Sequence, residues 1–210
     1  MNRDDWDERH GDDTGRFAGE PSRFLLPEVE GLPPGRALDL ACGQGRHAVW
    51  LAERGWRVTG VDFSTVGIEK ARLHAAERGV EVEWVNADLL DYAPEEGSFD
   101  LVLVFYLHVP LPDRSTILRS AVRALAPGGT FLLVGHDRDN LERGYGGPHD
   151  PRVLYTSSEI VIDLPGLEVE RATRVDRPVQ TEDGDRVALD LLVRARRPLT
   201  ERDSGAPRRR

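Results

Sequence analysis

Three aspartates, Asp39, Asp62 and Asp88, each follow an apolar run, and the first leads into the pair Gly43-Gln-Gly45. A carboxylate inside a strand end repels phosphate and attracts an ammonium or a hydroxyl. Glycines at that spacing let the backbone approach a ligand, and a helix starting near Arg46 aims unpaired N–H groups at an anion. Together they suit a ligand carrying both charges, such as the amino-acid end of a larger molecule. Asp62 closes Val58-Thr-Gly-Val-Asp62 with two oxygens that can accept from both hydroxyls of a ribose. Asp88, in Val85-Asn-Ala-Asp88-Leu89, can accept from an adenine amino group, with Phe63 and Leu89 flanking the ring. Each also has a plainer role. Asp39 can cap the helix or pair with Arg36 or Arg46, and Asp88 can start a turn.

A second set of reactive side chains follows two later apolar runs: Phe105, Tyr106, Leu107 and His108, then His136, Asp137 and Asn140. His108 is the first candidate for a proton acceptor, with His136 beside it and Tyr106 as a third catalytic candidate. Phe105 and Tyr106 can flank a cation with an aromatic face. The competing readings are a histidine bonded to loop backbone and aromatic rings packed at strand ends. No metal is expected, because among His108, His136, Asp137 and His149 only the consecutive His136-Asp137 has tight ligand spacing. Cys42 reads as a small apolar filler.

The elements that must position these groups alternate. The patterns predict strands over 37–40, 57–61, 82–86, 99–105 and 130–135, and helices over 46–54, 65–78 and 113–125. Such a βαβ rhythm gives parallel strands covered by helices. A short helix near 157–163 precedes two strand-like segments, 167–174 and 186–194, which are expected to pair antiparallel. Residues 1–35 are charged yet carry Trp6, Phe17, Phe24, Leu25 and Leu26, which predicts an arm or short helix folded over the domain 36–197. Residues 198–210 are expected to be a disordered tail. The segment 144–151, with its glycines and prolines, and the arm, with Trp6, Phe17, Arg16 and Arg23, are the two candidate lids.

The chain has 210 residues, 39% of them apolar and 31% charged, which suits one domain with a full core. Its 37 acidic and 28 basic side chains give a charge of −9, which argues against nucleic acid as a partner and toward a small molecule. One cysteine rules out an internal disulfide, and no apolar run is long enough to span a bilayer, so a cytoplasmic protein with no membrane partner is expected. The sequence leaves the oligomeric state open.

Gly43-Gln-Gly45-Arg-His-Ala48 also fits the dinucleotide fingerprint, although a nicotinamide cofactor gives Asp88 no task. Taken together, Asp39–Gly45, Asp62, Asp88-Leu89, the 100–108 segment and Pro127-Gly-Gly-Thr130 resemble the class I S-adenosylmethionine-dependent methyltransferases, over about residues 36 to 195. The resemblance implies a single-domain Rossmann-like α/β fold. Its sheet has seven mostly parallel strands in the order 3-2-1-4-5-7-6, with strand 7 antiparallel and helices on both faces. It implies S-adenosylmethionine as cofactor and S-adenosylhomocysteine as product, with Asp39, Ala41, Gly43, Gly45, Asp62, Phe63, Ala87, Asp88, Leu89 and Phe105 as binding residues. Ala41 stands where many members have glycine. Gly45-Arg-His-Ala-Val-Trp-Leu-Ala-Glu-Arg-Gly is most similar to the small tellurite-resistance and thiopurine methyltransferases, which implies a small acceptor; sulfur, nitrogen, oxygen or a metalloid oxyanion can take the methyl, with a thiol mildly favoured because it ionises with little help. A nucleoside-binding module without activity is the other reading.

Overall fold

The structure, a computed structural model, describes residues 2–12 and 19–199. Arg16 and Phe17 of the arm and residues 200–210 of the expected tail lie outside the described residues. In chain order the elements are α1 (Arg3–Gly11), α2 (Leu25–Val29), β1 (Arg36–Leu40), α3 (Arg46–Ala52), β2 (Arg57–Asp62), α4 (Thr65–Glu77), β3 (Glu83–Asn86), β4 (Phe99–Phe105), α5 (Asp113–Ala124), β5 (Leu125–His136), α6 (Asn140–Arg143), α7 (Ser157–Ile162), β6 (Glu168–Thr181) and β7 (Gly184–Arg196). The seven strands form one sheet in the order β3-β2-β1-β4-β5-β7-β6. β7 runs antiparallel to both β5 and β6, and the other neighbours are parallel.

The central strands are apolar on both faces, as strands covered twice must be. Leu38, Val102, Val104, Phe131 and Leu133 pack with Ile117, Leu118 and Ala121 of α5 and Ile160 of α7. Ala37, Leu101, Leu103, Leu132 and Val134 pack on the other face with Ala48 and Leu51 of α3 and Leu25 of α2. Fully burying each such aliphatic side chain is worth about 1.5–3 kcal/mol. Asp39 falls in register with Ala37, so its carboxylate lies on the α3 face in otherwise apolar surroundings.

Two differences from the sequence reading bear on the site. β5 begins at Leu125, not 130, because Pro127-Gly128-Gly129 is carried inside the strand across a register shift between Phe99 and Leu101. The final hairpin is longer than the predicted segments. β6 and β7 stay paired from Glu168↔Arg196 out to Thr181↔Gly184, whereas β5 pairs with β7 only as far as His136↔Asp190. The hairpin therefore runs on past the carboxyl edge of the sheet, where the reactive residues gather. α1 and α2 fall in the stretch read as an arm or short helix, and α6 was absent from the sequence reading, being too brief to show a period.

Candidate active site

The loop after β1 turns sharply. Ala41, Gly43 and Gly45 have φ of 60, 54 and 76°, and Cys42 N–H donates to Val61 O at 3.1 Å, tying the loop to β2. Left-handed backbone costs an alanine about 1 kcal/mol, which explains why glycine is the commoner residue where Ala41 stands. Gly45 has a second reason to lack a side chain: a Cβ there would lie 2.4 Å from the ring of Trp84 in β3. At Gly43 an added Cβ would meet only the His10 ring, at 3.1 Å.

Asp39 lies beneath this loop, 1% exposed, and neither oxygen has a hydrogen-bond partner. Burial pushes its carboxyl up to about 7; Arg46 opposes that shift and Asp62 adds to it. His47 Nδ1 is 4.0 Å away and burial keeps that ring neutral, while the Ala48 N–H favours the charged carboxylate. An ionisable carboxylate orphaned under a glycine loop fits a cationic group brought by a ligand.

Asp62 ends β2. It accepts from Gly43 N–H and Ser64 N–H, both at 2.8 Å, so it braces the loop while keeping further lone pairs. Burial raises its pKa, opposed by those two N–H groups. Ala87 N–H bonds the Asp62 carbonyl at 3.1 Å, which holds the β3 exit beside β2. Asp88 accepts from Leu90 N–H at 2.9 Å through one oxygen, a turn-starting role that leaves its second oxygen uncommitted. Phe63 and Leu89 are half-buried beside these two turns. The predicted donor-side residues thus line consecutive exits along one sheet edge.

Helix α1 lies across that edge. Asp7 Oδ1 accepts from Ser64 Oγ at 2.5 Å and Val66 N–H at 3.2 Å, which caps the first turn of α4 from outside. Gln44 Nε2 donates to His10 O at 3.2 Å, and His10 is buried against Gly43. From α1 an aromatic stack continues: Trp6 to His108 at 6.5 Å and 20°, then His108 to His136 at 5.4 Å and 13°. The predicted trio of His108, Tyr106 and His136 does come together, Tyr106 lying 5.3 Å from His136. Phe105 instead lies under His47, 4.7 Å ring to ring, buried in the α3-side core.

Tyr106 has φ of 56°, a strained conformation for a bulky residue. The turn aims its hydroxyl at Asp190 of β7, which accepts it at 2.9 Å. Asp190 is fully buried and also accepts from Arg177 Nε at 2.7 Å. His136 Nδ1 lies 3.0 Å from the other Asp190 oxygen, bent off hydrogen-bond alignment. Burial drives His108 down to about 3, with His136 and Arg9 pushing the same way, so its ring stays neutral and is a weak base. The 144–151 segment closes the far side: Asn140 holds Gly146 O at 2.8 Å, and Gly147 runs so near the His136 ring that a Cβ would lie 2.9 Å from it. Asp190 and Arg177 are absent from the sequence reading. Only the β5–β7 register, His136↔Asp190, links them to the site. Among the described residues, no group of three His, Cys, Asp or Glu side chains is placed to hold a metal.

A seven-stranded sheet of this order, with a glycine turn after β1 and an acid after β2, is the architecture of the class I S-adenosylmethionine-dependent methyltransferases. A family model described as a methyltransferase domain matches residues 37–129. The chain is 32% identical over 135 residues to the 2-heptyl-1-hydroxyquinolin-4(1H)-one methyltransferase of Mycobacteroides abscessus, covering 62% of this chain and 60% of the relative. It is 34% identical over 117 residues to the ubiquinone biosynthesis O-methyltransferase of Vibrio parahaemolyticus, covering 55% and 50%. The chain therefore spans about half to three fifths of the curated relatives it matches. Among solved structures, the N-methyltransferase NodS of Bradyrhizobium japonicum in complex with S-adenosylhomocysteine superposes with a TM-score of 0.71 at 20% identity, covering 93% of this chain and 98% of that one.

Proposed function

We propose that this protein is an S-adenosylmethionine-dependent methyltransferase acting on the hydroxyl oxygen of a small molecule. The observation that carries the donor assignment is Asp39, a buried carboxylate without a hydrogen-bond partner under a glycine turn, which matches the ammonium of the donor's amino-acid end. In this reading Ala41, Gly43 and Gly45 line the amino-acid end, Asp62 takes the ribose hydroxyls, and Phe63, Ala87, Asp88 and Leu89 enclose the adenine. When bound, S-adenosylmethionine supplies the methyl group, its C–S electron pair staying on sulfur while the acceptor oxygen takes the carbon.

The chain's own residues then have three tasks. Helix α1 and the 144–151 segment exclude water, and α1 reaches the donor turn and the histidine stack at once. Asp190 lies at His136 Nδ1 and so favours the tautomer with its proton there, which leaves Nε2 to take the proton of the acceptor hydroxyl. Tyr106, bound to Asp190, positions the acceptor. His108 serves as a neutral wall instead of the base, because burial holds it near 3.

The relatives named above support oxygen over the thiol that the sequence mildly favoured, since one is an O-methyltransferase and another acts on a hydroxyquinolone. Incubating the protein with S-adenosylmethionine labelled in the methyl group and a panel of phenols, thiols and amines tests the reading. Label is expected in a phenol, lost in His136→Gln. Label confined to thiols or amines would remove the oxygen assignment, and donor binding with no labelled acceptor would favour a binding module.

A further inference from the structure

β6 and β7 stay paired past His136↔Asp190, where β5 leaves the sheet, and that extension carries Arg177 opposite Ala188. Directly paired residues, and residues two apart on one strand, share a face. Arg177 therefore lies on the face where Asp190 meets Tyr106 and His136. Asp190 is fully buried, and three groups converge on it. Arg177 Nε at 2.7 Å and the Tyr106 hydroxyl at 2.9 Å both donate to Oδ2, while His136 Nδ1 stands 3.0 Å from Oδ1. The Arg177 guanidinium also lies over the Tyr106 ring, its Cζ 5.7 Å from the ring centre. Among the described residues it is the one permanent cation in contact with this carboxylate.

Burying a carboxylate is costly unless a cation or hydrogen-bond donors stand against it, and Asp190 has both. An imidazole and a carboxylate this close titrate as a unit. With neutral His136 beside ionised Asp190 the pair carries one negative charge. With one more proton it is uncharged overall, and either Nε2 is occupied or the carboxylate no longer fixes the tautomer. A fixed positive charge against Oδ2 favours the first state. The other titratable groups facing His136 are Tyr106 and His108, and burial keeps both neutral by pushing the phenol up and the imidazole down. Arg9 of α1 acts on His108 and Arg46 of α3 on Tyr106, but neither bonds Asp190. The 144–151 segment meets the His136 ring through Gly147.

We propose that Arg177 is a positioning residue for methyl transfer, whose charge holds the pair as neutral His136 beside ionised Asp190 and so keeps His136 Nε2 open to the acceptor's proton. The inference rests on the methyl-transfer reading above, in which His136 is the base. As the acceptor oxygen takes the methyl carbon, its proton passes to Nε2, and the imidazolium so formed faces Asp190 through Nδ1. The long hairpin then has a task in the reaction: it delivers a cation from outside the parallel sheet to the one buried carboxylate that needs it. The plainer role is a tie, in which Arg177 fastens β6 to β7 by a hydrogen bond and its charge is immaterial.

Proton uptake by the pair separates the two. The ring signals of histidine-labelled protein are followed by NMR against pH in wild type, Arg177→Gln and Arg177→Lys, with His136→Gln to assign the His136 signal. Loss of the charge in Arg177→Gln is expected to raise the midpoint of the pair by about one pH unit, and Arg177→Lys to restore most of the wild-type value. Glutamine keeps an N–H donor, so a tie alone predicts the wild-type midpoint in Arg177→Gln. Arg177→Met, which keeps the stem, takes its place if the glutamine variant does not fold. An unmoved or lowered midpoint in the uncharged variant, or a displacement as large in Arg177→Lys, would overturn the proposal. Labelled-methyl transfer to the panel of phenols, measured across pH, keeps the claims apart: the acidic limb of kcat should move up with the midpoint. A displaced midpoint in a protein whose wild type methylates nothing contradicts the methyl-transfer reading alone, and transfer with an acidic limb indifferent to Arg177→Gln contradicts the role of Arg177 alone.

Discussion

The two halves of the cleft balance their charges differently. On the β1–β2 side, Asp7, Asp39 and Asp62 crowd within reach of one another, each perturbing its neighbour. On the β5–β7 side, Asp190 is matched by Arg177 and accepts the Tyr106 hydroxyl. Unpaired acid on one side and a matched ion pair on the other divide the residues by task. The halves also differ in construction. The donor half comes from consecutive strand exits, Asp39, Asp62 and Asp88, each supplied by its own βα turn. The acceptor half is assembled from α1, the β4 and β5 exits and the final hairpin, elements far apart in the chain.

Substitutions that affect one half and spare the other test this division. The largest effect is expected from His136→Gln, which removes the proton acceptor: kcat should fall about 10²–10⁴-fold while S-adenosylhomocysteine binds as in wild type. A parallel loss of donor affinity would merge the two halves. Asp62→Ala is the mirror case. Losing one charge-assisted bond to the ribose, worth about 1.5–3 kcal/mol, should raise the donor Kd by about one to two orders of magnitude by calorimetry, with melting temperature followed because Gly43 and Ser64 lose their acceptor too.

Asp39 gives the half its pH signature. Its carboxyl stands at about 7 in the free protein, and a bound ammonium favours the ionised form. Below that pH a proton must leave before the ligand binds, so the affinity for S-adenosylhomocysteine should fall toward tenfold per unit from pH 7 downward and stay level above it. The raised value has the opposite consequence for the free fold. Ionising Asp39 costs stability as pH climbs from the ordinary carboxylate value of about 4 to about 7. Asp39→Asn should abolish both trends, and a pH-independent Kd in wild type would remove Asp39 from the ligand. The smallest effect belongs to Asp7→Ala, which unties α1 from Ser64 and Val66 and should speed donor release a few-fold in stopped flow without changing the unbound melting temperature by more than a few degrees. An unchanged release rate would show that α1 is not a lid.

The same division explains what the sequence could reveal. Apolar runs with period-2 and period-3.6 patterns placed the strands and long helices, and the strand order came from the motif series, not from any single pattern. Asp39, Gly43, Gly45 and Asp62 were legible because a short-range turn brings each to the edge where its spacing predicts it. Asp190 was hidden in a strand pattern, one polar residue between Leu189 and Leu191, and became a site residue only through its register opposite His136. Arg177 lies in an exposed alternating strand, where charge carries no signal of its own. Trp84 was read as a strand residue, yet its ring is what excludes a side chain at Gly45. His108 does lie beside His136, but the burial that makes it a weak base comes with packing between that ring and Trp6 of α1, far away in the chain.

The central claim, that the acidic half is made for the methyl donor, is tested most directly by titrating S-adenosylhomocysteine and NADH separately into the purified protein at pH 8. The account predicts one S-adenosylhomocysteine bound per chain, lost or strongly weakened in Asp62→Ala, and no heat from NADH beyond dilution. Saturable NADH binding with none for S-adenosylhomocysteine would contradict it.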